Sequence, residues 1–139
     1  MKLSAIVITH NESATIERCL QSLTFADERL VIDAESSDDT VRKAQALGAT
    51  VSVRPWPGFG RQKNEGLRQA HGEWVLFVDA DEEVTAELRE SILAALEQPT
   101  HDFYWLTVVT VFLGRPLTHL HGHNLRLFKK SAGRWSDPW

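Results

Sequence analysis

The stretch "WVLFVDADEEV", Trp74 to Val84, places two aspartates one residue apart, Asp79 and Asp81, directly after a run of large apolar side chains. Carboxylates at that spacing, where a buried strand surfaces, can share a divalent cation, or one can hold the metal while the other holds a sugar hydroxyl. Hard cations such as Mg²⁺ and Mn²⁺ favour oxygen ligands, and Mg²⁺ is commonly held by one or two carboxylates together with substrate phosphates. A bound diphosphate would complete such a shell, and the cation would neutralise charge on a departing phosphate. Glu82 and Glu83 read differently: they lead into a helix capped at Thr85, where acidic side chains suit the positive end of the dipole. Two aspartates at this spacing also arise by chance, so their weight depends on where the fold puts them.

Three other polar clusters have the same character. In "DAESSDDT", Asp33 could accept a hydrogen bond from a base or ribose, while Ser37 or Asp38 could cap the helix that follows. In "GFGRQKNEGL", Arg61, Lys63 and Asn64 open a helix whose backbone N–H groups, with a cation, suit a phosphate. Trp56 and Phe59 beside them read as local packing, and Gly58 and Gly60 as a loop. The first cluster is "THNE", Thr9 to Glu12. Late in the chain, His119, His121 and His123 would share one face of an extended strand, for a metal, an acceptor or plain solvent. Arg126 could meet a phosphate or acceptor, or make a structural ion pair.

The elements that must position these residues follow from hydrophobic periodicity. "LSAIVIT" reads as a buried strand, followed by a helix with Ile16, Cys19, Leu20 and Leu23 at i, i+3, i+4 and i+7. Cys19 is thereby assigned to packing. "RLVID", "TVSVRP" and "EWVLFVDAD" read as further strands, alternating with helices in "SDDTVRKAQALG", "GFGRQKNEGLRQAHG" and "TAELRESILAALE". Strand and helix alternate through the first 98 residues, which predicts an α/β fold with a mostly parallel, Rossmann-like sheet flanked by helices. Ligands in such folds bind beyond the carboxyl ends of the strands, near the point where strand order reverses. After Pro99, "HDFYWLTVVTVFLG" and "HGHNLRLFKK" predict an added β element on one edge, joined by a turn around "GRP". A single domain over 1–139 is expected, with 1–98 the nucleotide-binding half and 99–139 the added β region.

At 139 residues, 42% hydrophobic and with a net charge of −4, the chain gives no global attraction for nucleic acid, so an anionic ligand must be held locally. One cysteine excludes an internal disulfide and fits a reducing compartment. "MKLSAIVITHNE" reads as a first strand rather than a secretory signal, and Phe103 to Gly114 falls short of the roughly 20 residues of a membrane-spanning helix.

In the order "AIVITHNE", "VIDAESSDDT", "GFGRQKNEGL" with "AHGEWVLFVDADEEV", and "LRLFKK", the chain resembles a family 2 glycosyltransferase of GT-A fold, in the branch that includes bacterial lipopolysaccharide-core enzymes. The resemblance implies a nucleotide-sugar donor, a glycan or lipid-linked acceptor, and Mg²⁺ or Mn²⁺. It implies that Thr9, Glu12 and Asp33 line the nucleoside pocket, that Lys63 and Asn64 lie near ribose or diphosphate, and that Asp79 and Asp81 serve ribose and metal. It further implies transfer with inversion and a cytoplasmic location, with peripheral contact at the inner membrane face left open. Ala34 departs from relatives that carry a second aspartate there. Similar chains continue past "GRW" into a His-Glu pair and further helices, so the general base is expected outside this chain, which makes it an incomplete fragment; Asp137 is a poor substitute. Two other readings compete. A haloacid-dehalogenase-type phosphatase would use Asp79 as nucleophile, although it wants the aspartate pair after an early strand. A non-catalytic nucleotide-binding module would bind without turnover.

Overall fold

A computed structural model describes residues 1–112 and 115–136 of the chain. Its first half alternates as the periodicity requires: β1 (Leu3–Thr9), α1 (Ile16–Gln21), β2 (Glu28–Asp33), α2 (Thr40–Ala46), β3 (Thr50–Val53), α3 (Phe59–Gln69), β4 (Trp74–Phe77) and α4 (Ala86–Glu97). Two long strands, β5 (Phe103–Phe112) and β6 (Arg115–Lys129), and a short 3₁₀ turn follow. All six strands join one sheet in the order β3-β2-β1-β4-β6-β5. β1 pairs in parallel with β2 and β4, and β2 with β3. β6 runs antiparallel to both β4 and β5. The added β element is thus a continuation of the sheet beyond β4, with β5 as its edge.

β1 is apolar on both faces because both are covered. Leu3, Ala5 and Val7 pack with Ile16, Cys19 and Leu20 of α1, Leu23 just past it, and Ile92 and Leu96 of α4. Ile6 points the other way, with Leu30, Ile32, Val75 and Phe77, and meets Leu67 of α3 and Phe128 of β6. The helix face read from Ile16, Cys19, Leu20 and Leu23 is buried throughout.

Gly66 sets how closely α3 lies on the sheet. A Cβ there would stand 2.5 Å from Cγ2 of Ile6 and 3.5 Å from Cγ1 of Ile32. Gly66→Ala is therefore expected to destabilise the chain by about 1–3 kcal/mol in urea unfolding, because overpacking outweighs the roughly 1 kcal/mol gain in helix propensity. An unchanged or raised midpoint would show that α3 has room to lift.

Two boundaries differ from the sequence reading. β4 ends at Phe77, so Asp79 and Asp81 lie in a turn after the strand, closed by the Glu82 N–H donating to the Asp79 carbonyl at 2.9 Å. α2 begins at Thr40, which leaves Asp38 and Asp39 in the preceding loop. Short side-chain acceptors favour turns over helix interiors, which explains both shifts.

Candidate functional site

From β1 the chain adds β2 and then β3 on one side, and places β4 on the other. Strand order therefore reverses between β1 and β4, where a ligand crevice is expected outside the carboxyl ends. Thr9, Asp33 and Asp79 all belong to those ends.

Thr9 and Asp33 are buried register partners. The Thr9 hydroxyl donates to Asp33 Oδ1 at 2.6 Å, the Ser36 hydroxyl donates to the same oxygen at 2.6 Å, and the Ser36 N–H donates to Oδ2 at 2.8 Å. The Asp33 carboxylate, buried at the end of β2, thus fastens the loop that follows. Asn11 extends this fastening. Its N–H donates to Ser36 Oγ at 2.8 Å, and its Oδ1 accepts the Ser37 N–H at 2.8 Å. Asn11 and Glu35 both adopt φ of 52°, an uncommon conformation for non-glycine residues, so the two strand-end loops are held in a specific shape. Asp38, read as a possible cap, anchors the start of α2 to the loop after β1. It accepts the Thr40 N–H at 3.0 Å, the Thr40 hydroxyl at 2.5 Å and the Ser13 N–H at 3.2 Å. Chiefly through the Thr40 hydroxyl, these bonds hold its carboxyl down at about 2.

Glu12 donates its N–H to Thr40 Oγ1 at 2.8 Å. Burial pushes its carboxyl above the usual carboxylate range; the charges of Asp81, Asp38 and Asp79 add to the push, and the Thr15 hydroxyl opposes it. Asp81 is exposed, and no hydrogen bond or ion pair engages it among the described residues. Glu12 and Asp81 thus repel each other, and no ion pair among the described residues engages either.

Asp79 sits differently. Its carboxylate, 60% exposed, lies 3.4 Å from the Arg126 guanidinium, which is only 13% exposed. Arg126 donates to both oxygens of Glu82, at 2.6 and 3.1 Å, and to the Phe77 carbonyl at 3.3 Å. Glu82 Oε1 also accepts the Asp79 N–H at 2.7 Å. This corrects the reading of Glu82 as a lead-in to a helix: it braces the aspartate turn against β6. The cap itself is at Thr85, whose Oγ1 accepts the Leu88 N–H at 3.1 Å. Arg126 takes the ion-pair role of the two considered for it. Cys19 is buried, donates to the Asp79 carbonyl at 3.5 Å, and is pushed up to about 12 by burial, with the nearby carboxylates adding.

α3 brings Lys63 and Asn64 to the same side. The Lys63 ammonium lies 4.1 Å from the centre of the Trp135 ring, and the Asn64 amide is bonded to the Trp135 backbone. Burial pulls Lys63 below its ordinary range; Asp79 and Glu82 oppose that pull and Arg126 adds to it. Trp56 and Phe59 touch edge to face at 4.8 Å yet remain 47% and 71% exposed, so they pack on each other and not into the core. The side chains of His119, His121 and His123, and the whole of Asp137, lie outside the described residues.

Gln62 was not singled out by sequence, because it begins a largely polar helix. It is fully buried, and neither end of its amide has a partner among the described residues. Leaving such a group unpaired costs about 1–3 kcal/mol. Gln62→Met is therefore expected to raise the urea midpoint. A lowered midpoint would show that the amide is satisfied in solution.

The family model described as Glycosyl transferase family 2 matches residues 4–138. The chain belongs to the family 2 glycosyltransferases. A Rickettsia bellii glycosyltransferase is 43% identical over 104 residues, covering 74% of this chain and 35% of that protein. The lipopolysaccharide core biosynthesis glycosyltransferase LpsC of Rhizobium meliloti is 30% identical over 144 residues, covering 97% of this chain and 53% of its own length. The chain thus spans about a third to a half of these relatives. Among solved structures, S. aureus TarS 1-349 superposes with a TM-score of 0.68 at 27% identity, covering 94% of this chain and 48% of that one. The same protein in complex with UDP-GlcNAc gives 0.60 at 33% identity, covering 74% and 33%. These matches carry the GT-A fold and the enzyme class of this family 2 chain, and give no support to a phosphatase. Within the family's frame, the aspartate pair stands at the switch point with a braced member, Asp79, and an open one, Asp81.

Proposed function

We propose that this chain forms the donor-binding part of a metal-dependent, inverting glycosyltransferase that takes a sugar from a nucleotide-sugar to a glycan or lipid-linked acceptor. The observation that carries the reading is the open Asp81 carboxylate beside Glu12, next to a braced Asp79, at the strand-order switch point. The donor set fits Mg²⁺ or Mn²⁺: hard oxygens, unneutralised charge and exposure. Among the described residues no three His, Cys, Asp or Glu side chains are grouped to hold a metal ion by themselves, so the proposed cation needs oxygens from the donor's phosphates. When bound, that cation would supply Lewis-acid stabilisation of the leaving diphosphate. Asp81, with Asp79, would hold it. Lys63 would add positive charge on the diphosphate side, with Asn64 near it, and the Thr9–Asp33–Ser36 bonds would shape the nucleoside wall, with Glu12 at its edge.

Residues 1–98 then serve as the nucleotide-binding half, and 99–139 as part of the acceptor side. No general base is assigned within the chain. A lipid-linked saccharide acceptor is favoured by the likeness to LpsC, whose name places it in lipopolysaccharide core biosynthesis. It would put the reaction at the inner face of the cytoplasmic membrane. No helix among the described residues is long and apolar enough to cross a membrane, so any attachment through them would be peripheral.

The reading is tested by calorimetric titration of the chain with UDP-, GDP- and ADP-sugars in Mn²⁺, in Mg²⁺ and in EDTA. One base is expected to bind, more tightly with metal. No binding of any donor under any of the three conditions would overturn it.

A further inference from the structure

Trp135 lies past β6, 71 residues from Asn64, yet the two are joined at two points. The Asn64 amide donates to the Trp135 carbonyl at 2.6 Å, and its oxygen accepts the Trp135 N–H at 2.8 Å. The indole is fixed from other sides by Phe77, the last residue of β4, at 5.2 Å and 81°, and by Phe128 of β6 at 6.0 Å and 69°. What this rigid ring offers is a face for the Lys63 ammonium, 4.1 Å from the ring centre. Its Nε1–H, which a buried tryptophan ordinarily pairs, has no partner among the described residues. A lysine carries a flexible four-carbon stem, and the rotamer entropy of that stem opposes holding its charge in one place. An aromatic wall in a partly desolvated position offsets that loss by cation–π attraction. The ammonium so held interacts electrostatically with Asp79, Glu82 and Arg126, the group that forms the braced side of the aspartate turn.

We propose that Trp135 is a positioning residue of the donor site: clasped by Asn64, it holds the Lys63 ammonium at the aspartate turn, where the donor's diphosphate would lie. The segment after β6 thereby takes part in binding the nucleotide although it belongs to the acceptor side. This rests on the donor-site reading above.

The test is calorimetric titration of UDP, GDP and ADP in Mn²⁺ into the wild-type chain, Trp135→Leu, Trp135→Phe, Lys63→Met and the double variant Trp135→Leu/Lys63→Met. Trp135→Leu is expected to weaken binding about tenfold, and Trp135→Phe, which keeps an aromatic face, to stay within about threefold. In the Lys63→Met background, Trp135→Leu is expected to have no further effect, since the two act as one unit. Wild-type affinity in Trp135→Leu, or losses that simply add in the double variant, overturns the proposal and leaves the donor site standing. A wild-type chain that binds none of the three nucleotides overturns the donor-site reading and this proposal with it. The Trp135→Phe arm separates loss of the ring face from loss of the fold.

Discussion

Asp81→Ala is expected to weaken Mn²⁺-supported binding of the nucleoside diphosphate about a hundredfold, or about 2.7 kcal/mol, and to leave binding in EDTA unchanged or improved. The two signs come from one cause. With the cation present, Asp81 is the open carboxylate that would hold it, and removing that oxygen ligand weakens the bridge to the diphosphate. Without the cation, Asp81 is a negative charge facing an anion, and its removal relieves repulsion. The same argument predicts no loss of stability, because Asp81 makes no hydrogen bond or ion pair among the described residues and its charge works against Glu12. Titrations in Mn²⁺ and in EDTA, with thermal unfolding of both proteins, check all three statements. An equal loss of affinity in EDTA would make Asp81 a direct nucleotide contact instead of a metal ligand.

The largest stability effect is expected at Arg126. Arg126→Met removes the cation that meets both Glu82 oxygens and reaches Asp79. Glu82 would then be left half-buried without its counter-charge. Breaking a buried pair from one side costs about 3–5 kcal/mol, and this pair is partly solvated, so about 2–3 kcal/mol is expected in urea unfolding. Glu82→Gln should cost less, since an amide oxygen can still accept the Asp79 N–H. The double variant Glu82→Gln/Arg126→Met is expected to recover stability relative to Arg126→Met alone while still binding nucleotide poorly, because the Asp79 carboxylate has lost its contact with Arg126. Additive losses in the double variant would show that the two side chains do not act together.

Local regularities were legible in the chain and long-range partnerships were not. Ile16, Cys19, Leu20 and Leu23 announced a buried helix face because a 3.6-residue repeat needs only neighbouring residues to be read. Thr85 announced a cap for the same reason, and the strand-end positions of Asp33, Asp79 and Asp81 followed from strand–helix alternation. Glu82 was misread because its partner is 44 residues away on β6, so its sequence neighbours suggested only a helix dipole. The two bonds that Ser36 makes to Asp33 depend on the backbone path after β2, which no spacing rule gives. Gln62 and the Asn64–Trp135 clasp were invisible for a related reason. Burial of a polar residue in a polar segment leaves no periodic trace.

Because β6 lies between β4 and β5, the brace that shapes the aspartate turn is made late in the chain. During synthesis, Asp79 leaves the ribosome 47 residues before the arginine that steadies it. Until then the turn lacks its counter-charge, and Phe77 lacks the aromatic cover of Phe128. Contacts of such wide sequence separation form slowly, since loop closure must precede them. Nucleotide binding should therefore be acquired in one step, when β6 docks on β4, rather than growing in as the strands emerge.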